Sequence, residues 1–260
     1  MPQFTLLNTR PADQATALQQ LVDQADGQAL SCPSIEIEIL KPKPSDLAEL
    51  QHFDKLVFIS ANAVKAFVTL SAGKLKDSVQ LFAIGQATFK VGSKAGLDMH
   101  TAEGERFDSE ALLKHPDLQN LNGQKVLIVK GQGGRELLES SFVERGAQVS
   151  GWELYRRKPL PLCNEAWERF VESSQPIVLA TSISGLESLM DAVTHSEKVS
   201  SKTQQAWSDW LRKQTLVVFS ERIQIWALKQ GWQGTIVIVP TQSDEGIMQS
   251  ITTIVRKKES

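Results

Sequence analysis

The side chains best placed to do chemistry in this sequence are hydroxyls rather than nucleophile–base pairs. Tyr155 is the single tyrosine in 260 residues, and it lies in Gln148–Pro161, QVSGWELYRRKPLP. A phenol ordinarily ionises well above neutral pH, so it is a neutral hydrogen-bond donor. It could act as a general acid without a base to set its protonation state. An aromatic plug that only packs is the alternative role for this ring. Ser60, Asn62, Thr88, Thr181, Ser182 and Ser184 follow short apolar runs, and Gly131 and Arg135 lie in the run KGQGGR that follows another. Hydroxyls and backbone N–H groups at such places can bind carboxylates without a heavy basic charge. Ser, Thr and Asn there can equally cap the helix that follows, and both readings stand for each position.

Conventional catalytic machinery is missing. Gly131-x-Gly133 follows an apolar run, as a dinucleotide fingerprint should, but Glu136 occupies the position of the third glycine. There is no phosphate-binding G-x-x-x-x-G-K-[ST] and no G-x-S-x-G elbow. His52, His100, His115 and His195 are scattered without ligand spacing, so no metal is expected. Cys32 and Cys163 are too few for a disulfide framework and have no CxxC partner, which fits a reducing cytoplasm. A net charge of −2 gives no reason to expect nucleic acid or a membrane surface. The N-terminus lacks the pattern of a signal peptide, and no apolar run reaches membrane-spanning length.

The elements that must carry these groups alternate in type. Apolar runs at Phe4–Asn8, Lys55–Ile59, Leu81–Ile84, Lys125–Val129, Ile177–Ala180, Thr215–Phe219 and Ile236–Val239 read as buried strands. Amphipathic helical stretches separate them, a pattern that predicts parallel sheets in an α/β fold. Ser34–Leu40 alternates Ile and Glu before KPKP, and Val149–Tyr155 precedes RRKPLP. Proline fixes φ and lacks a donor, so both read as strands that stop at a stiff linker, chain crossovers between two domains. The units also repeat. FTLLNTRP resembles KVLIVKGQ, FISANAV resembles ATSISGL, and FAIGQATF resembles VFSERIQI. The repeat of about 120 residues indicates a duplicated domain rather than a solenoid. A polar insertion in Thr194–Asp209 accounts for the one break in spacing.

NTRP, FISANAV, AIGQAT, VKGQGGRELL, ELYRR and ATSISGL, in that order, resemble the uroporphyrinogen-III synthase family over nearly the whole chain. The resemblance implies two α/β domains of flavodoxin-like topology, joined by a two-stranded antiparallel ladder. Residues 1–38 with 156–260 would form one domain and 39–155 the other, with crossovers near 36–44 and 152–161. It also implies cyclising dehydration of hydroxymethylbilane, a linear tetrapyrrole, with inversion of its last ring, by a cytoplasmic monomer that needs no cofactor. Tyr155 would be the acid, in the gap between the domains. Arg10, Ser60, Asn62, Thr88, Gly131, Arg135, Thr181, Ser182, Ser184 and Arg222 would hold the substrate, although Arg135 could instead pair with a nearby glutamate. The family commonly carries Gly-Pro-Thr-Thr where this chain has Ser220-Glu221-Arg222-Ile223, so one threonine hydroxyl is absent. Two other readings compete: a two-domain ligand binder without catalysis, and a degenerate relative that binds a tetrapyrrole without turnover.

Overall fold

A computed structural model describes residues 2–71, 75–76, 78–102, 109–133, 137–196 and 201–259. In chain order the strands are β1 (Thr5–Asn8), β2 (Gln28–Ser31), β3 (Ile35–Ile39), β4 (Lys55–Phe58), β5 (Gln80–Ala83) and β6 (Met99–Thr101). They continue with β7 (Lys125–Gly131), β8 (Gln148–Pro159), β9 (Pro176–Ala180), β10 (Thr215–Val218) and β11 (Ile236–Ile238). The helices begin with α1 (Thr16–Gln24), α2 (Pro44–Glu49), α3 (Ala61–Ser71), α4 (Gln86–Lys94), α5 (Ser109–Leu112) and α6 (Leu137–Glu144). The rest are α7 (Asn164–Val171), α8 (Ile183–Thr194), α9 (Ser201–Leu211), α10 (Glu221–Lys229) and α11 (Asp244–Glu259). Two compact units contain them: Met1–Glu36 with Lys158–Ser260, and Ile37–Arg157. These divisions fall two residues from the sequence-based boundaries, inside the crossovers.

The first unit holds a parallel sheet in the order β2-β1-β9-β10-β11. Strand residues alternate between its two faces, as the period of two requires. Leu7, Val178, Ala180, Leu216 and Val218 pack with Trp167, Leu186, Leu189 and Ala227 on one side. Leu6, Ile177, Leu179 and Val217 pack with Leu18, Val22, Ile247 and Ile251 on the other. Both faces are buried, which is why these strands read as continuous apolar runs. In the second unit, Leu56, Phe58, Leu127 and Val129 meet Val64 and Phe67 on one face. Val57, Val126 and Ile128 meet Leu118, Leu138 and Phe142 on the other. Its sheet runs β3-β8-β7-β4-β5-β6, with β4 to β8 parallel.

The sequence repeat equates β1 with β7, β9 with β4 and β10 with β5. On that basis β2-β1-β9-β10-β11 corresponds in order to β8-β7-β4-β5-β6. The two units share one strand order but enter it at different points of the chain. Each sheet reverses its order of growth between two neighbours, β1 and β9 in one unit and β7 and β4 in the other. Open α/β sheets bind ligands at the carboxyl ends of such a pair.

Three expectations need correction. β8 does not stop before the basic run but continues through Arg156, Arg157 and Lys158 to Pro159. Leu40 N–H donates to the Leu154 carbonyl and Leu160 N–H to that of Ser34, which makes the β3–β8 pairing antiparallel. In this register Arg156 lies opposite Glu38 and Lys158 opposite Glu36, each ion pair at 2.8 Å. The glutamates are therefore paired across the strands, and the opposite charges add support to this register. Second, β2 and β6 were absent from the expected strands, because QALS and MHT hold too few apolar residues to stand out. Third, Thr194–Asp209 is not simply polar: α9 takes up much of it and packs Trp207 and Trp210 near Trp167, with ring centroids 5.9 and 6.0 Å apart.

Trp167 is fully buried at the centre of this aromatic group. Trp167→Ala is expected to cost about 3–5 kcal/mol, as large-to-small changes in an aromatic core do. Urea unfolding of wild type and variant measures it, and a loss under about 1 kcal/mol would mean that the cluster relaxes around the cavity.

Candidate active site

In the unit of residues 37–157, the carboxyl ends of β4, β7 and β8 bring three predicted residues together. β7 and β8 run in register as far as Lys130 opposite Glu153, and then Gly131 stands opposite Tyr155. The register shift leaves Leu154 as an extra residue, so two successive side chains, Leu154 and Tyr155, turn into the same core. Gly131 makes room for the second. A Cβ there would lie 2.4 Å from Cζ of the Tyr155 ring. Gln132 N–H also donates to the Tyr155 carbonyl at 2.7 Å, which holds the strand on both sides of the ring.

The ring is 2% exposed, and among the described residues its hydroxyl has two polar neighbours. Ser60 Oγ lies 2.9 Å from Tyr155 Oη. Ser60 also accepts from Ala63 N–H at 3.1 Å, so it caps α3 while holding the phenol. Arg157 Nη2 donates to Tyr155 Oη at 3.4 Å, and its guanidinium carbon lies 5.5 Å from the ring centroid. Arg157 itself is exposed. It was not singled out from the sequence, yet residues two apart on a strand share a face, and that signal was present in YRR. Asn62 lies half-buried in the first turn of α3, and Thr88 is buried within α4. Arg135 lies outside the described residues.

In the other unit, the ends of β1 and β9 gather a second group. Ser182 caps α8 by accepting from Gly185 N–H at 3.0 Å, and its hydroxyl lies 3.4 Å from that of Ser184. Thr181, Ser182 and Ser184 are all half-buried. Thr9 Oγ1 donates to the Leu179 carbonyl at 2.7 Å, and Ser34 Oγ donates to that of Gly185 at 2.7 Å, which ties β1 and α8 to one edge. Arg10 is 6% exposed and turned inward. Its Nη1 pairs with Asp244 Oδ1 at 2.7 Å, and its Nε donates to Asn8 Oδ1 at 3.3 Å. Nη2 is buried with no partner among the described residues. A carboxylate ligand at Arg10 would compete with Asp244, a partner that sequence spacing could not reveal because it is contributed by the start of α11. Arg222 is exposed on α10, and Ile223 is buried in the core at 2% exposure. The family's missing threonine hydroxyl is thus matched by a hydrocarbon that packs. No group of three or more potential metal ligands occurs among the described residues.

Gly131→Ala is expected to push the Tyr155 ring off Ser60 and destabilise the protein by roughly 1–3 kcal/mol, the usual cost of overpacking. Chemical denaturation checks it. An unchanged midpoint would show that the ring is free to shift.

A family model described as uroporphyrinogen-III synthase HemD matches residues 16–248. The uroporphyrinogen-III synthase of Salmonella typhimurium is 29% identical over 266 residues, covering 95% of this chain and 100% of the relative. That of Escherichia coli is 28% identical with the same coverage. Among solved structures, a mutant uroporphyrinogen III synthase of Thermus thermophilus aligns with a TM-score of 0.61 at 20% identity, covering 98% of this chain and 99% of that one. The Helicobacter pylori uroporphyrinogen-III synthetase aligns at 0.59 and 15%, covering 96% and 99%. These structures share the α/β fold.

Proposed function

The chain belongs to the uroporphyrinogen-III synthase family, which cyclises hydroxymethylbilane in haem biosynthesis, and from that premise we propose that Tyr155, Ser60 and Arg157 form its proton-donating centre. The reaction begins with loss of a hydroxyl from an electron-rich pyrrole, which leaves an azafulvenium cation. The substituted carbon of the last ring then attacks to give a spiro intermediate, and reopening and closure invert that ring. The first step needs one proton at the departing oxygen. The rest needs a flexible chain held in one conformation, which is an entropic task.

One observation carries the assignment. The Tyr155 hydroxyl is fixed between the Ser60 hydroxyl at 2.9 Å and the Arg157 guanidinium at 3.4 Å, on a ring that packing holds in place. Ser60 is less buried than the phenol, so it is the group through which the proton reaches substrate. Arg157 supplies an exposed cation for a carboxylate beside the leaving group. Asn62, Thr88, Gly131, Arg135, Thr181, Ser182, Ser184 and Arg222 act as carboxylate-binding positions through hydroxyls, amides, guanidinium groups and helix-start N–H groups. Arg10 is the weakest of the substrate residues, because Asp244 already occupies it. The strand orders support two flavodoxin-like domains, with β3 and β8 as the chain passages between them. The enzyme acts as a cytoplasmic monomer without a cofactor. Among the described residues, no helix is long and apolar enough to cross a membrane.

Separating the uroporphyrinogen isomers made from hydroxymethylbilane tests the reading, since spontaneous closure gives isomer I and only catalysis gives isomer III. A wild-type protein that yields isomer I alone would instead support a non-catalytic ligand binder. Tyr155→Phe keeps the ring and is expected to slow isomer III formation by about tenfold to a few hundredfold, the lower part of general-acid effects because the leaving step is intrinsically easy. Full activity in that variant would sink the acid role, and a matching loss of melting temperature would favour a packing role. Arg157→Gln is expected to raise KM by about tenfold with little change in kcat, since a hydrogen bond to a charged group is worth about 1.5–3 kcal/mol. An unchanged KM would remove Arg157 from substrate binding.

A further inference from the structure

Two thiols 131 residues apart in sequence meet in the unit of residues 1–36 and 158–260. Cys32 follows β2 and is 1% exposed, while Cys163 is half-buried and immediately precedes α7. The backbone N–H of Cys163 donates to Cys32 Sγ at 3.3 Å, which places the two cysteines side by side. Cys163 occupies the N-cap of α7, and its side chain makes no cap hydrogen bond. The unsatisfied N–H groups and the dipole of that helix favour a thiolate there. A cavity of about 450 Å³ opens beside Cys163. Its charged lining groups, Glu165 and Arg169, both belong to α7, while α1 presents Gln19 and β2 presents Ala29, Leu30 and Ser31, none of them charged.

We propose that Cys163 and Cys32 form a thiol–disulfide exchange site, which takes low-molecular-weight disulfides of the glutathione class and closes into an intramolecular Cys32–Cys163 bond. The site differs from the synthase centre in residues and chemistry. The Cys163 thiolate attacks one sulfur of the small disulfide, whose S–S bond breaks and whose other half leaves as a thiolate and takes up a proton. The Cys32 thiol then gives up its proton and attacks Cys163 Sγ, which expels the second small thiol. The protein dithiol loses two electrons and two protons, and the small disulfide gains them as two thiols. The roles follow from the surroundings. The hydrogen bond from Cys32 brings Cys163 down to about 7 against the opposing effect of burial, so Cys163 is the attacking group near neutral pH. The hydrogen bond to Cys163, and then burial, pushes Cys32 up and keeps it protonated until the mixed disulfide has formed. The closed bond would turn everything between Cys32 and Cys163 into one covalent loop.

Treating the folded full chain with oxidised glutathione, quenching with acid, labelling the remaining thiols with a maleimide in denaturant and mapping peptides by mass tests the proposal. Wild type is expected to lose both maleimide-reactive thiols, to yield one bridged Cys32–Cys163 peptide lighter by two hydrogens, and to recover both thiols with dithiothreitol. The rate of the first step should rise with pH and reach half its limiting value near 7. Cys32→Ser is expected to stop at a glutathione adduct on Cys163, and Cys163→Ser to leave Cys32 unmodified while folded. Wild type that accumulates the adduct on Cys163 with Cys32 still free would overturn the exchange site, as would a Cys163 that oxidised glutathione modifies only after denaturation. Neither readout passes through Tyr155, so failure here leaves the synthase assignment untouched, and the converse also holds.

Discussion

The arrangement around the Tyr155 hydroxyl, the proposed proton donor, depends on one close approach, the Tyr155 ring against the bare backbone of Gly131. A phenol can deliver a proton to a fixed place only if its ring cannot turn, and a ring is fixed most firmly when it is buried. Burying it beside Leu154 breaks the alternation of a strand. The register shift between Lys130 and Gly131 supplies the extra residue, and the missing side chain at Gly131 supplies the space. Ser60 then does two things at once, capping α3 and holding the phenol. The bland role of a capping serine and the functional one are therefore compatible at this position.

The same design explains why so little conventional machinery is needed. Each unit has one pair of adjacent parallel strands where the order of the sheet turns, and hydroxyls, amides and helix starts collect at their carboxyl ends. In residues 37–157 that edge carries Tyr155, Ser60 and Gly131. In the other unit it carries Thr181, Ser182 and Ser184. Such an edge can bind anions through dipoles without a surplus of cations, which is compatible with a net charge of −2. The repeat then has a physical meaning, since a duplicated unit entered at a different strand places the same kind of edge twice in one chain.

The contrast between Arg10 and Arg157 shows how burial divides similar residues. Both are arginines near the end of a strand. Arg10 is turned into its unit and neutralised by Asp244, a pairing that makes it costly to remove and hard to use. Arg157 stays exposed, with its guanidinium laid against an aromatic face and one N–H directed to a hydroxyl. The side chain left in solvent is the one free to meet a carboxylate.

The alternation of apolar strands with amphipathic helices was legible in the sequence, because burial on both sheet faces leaves continuous hydrophobic runs that need no partner to be recognised. The strand character of residues 35–39 and 149–155 was legible for a similar reason, since residue types along a short stretch carry it without a partner. The strands β2 and β6 were not, since QALS and MHT hold too few apolar residues to read as buried runs. Nor was the course of β8 through its basic run, which depends on Glu36 and Glu38 lying opposite. Three pairings were beyond any reading of spacing: Ser60 with Tyr155, Arg10 with Asp244, and Cys32 with Cys163. Each joins residues far apart in the chain whose meeting depends on strand order and register. The sequence by itself determined which residues could do chemistry and which elements would carry them. Tertiary structure alone decided which of those residues meet, because contact between distant side chains follows from how sheets and helices pack and leaves no periodic trace in the chain.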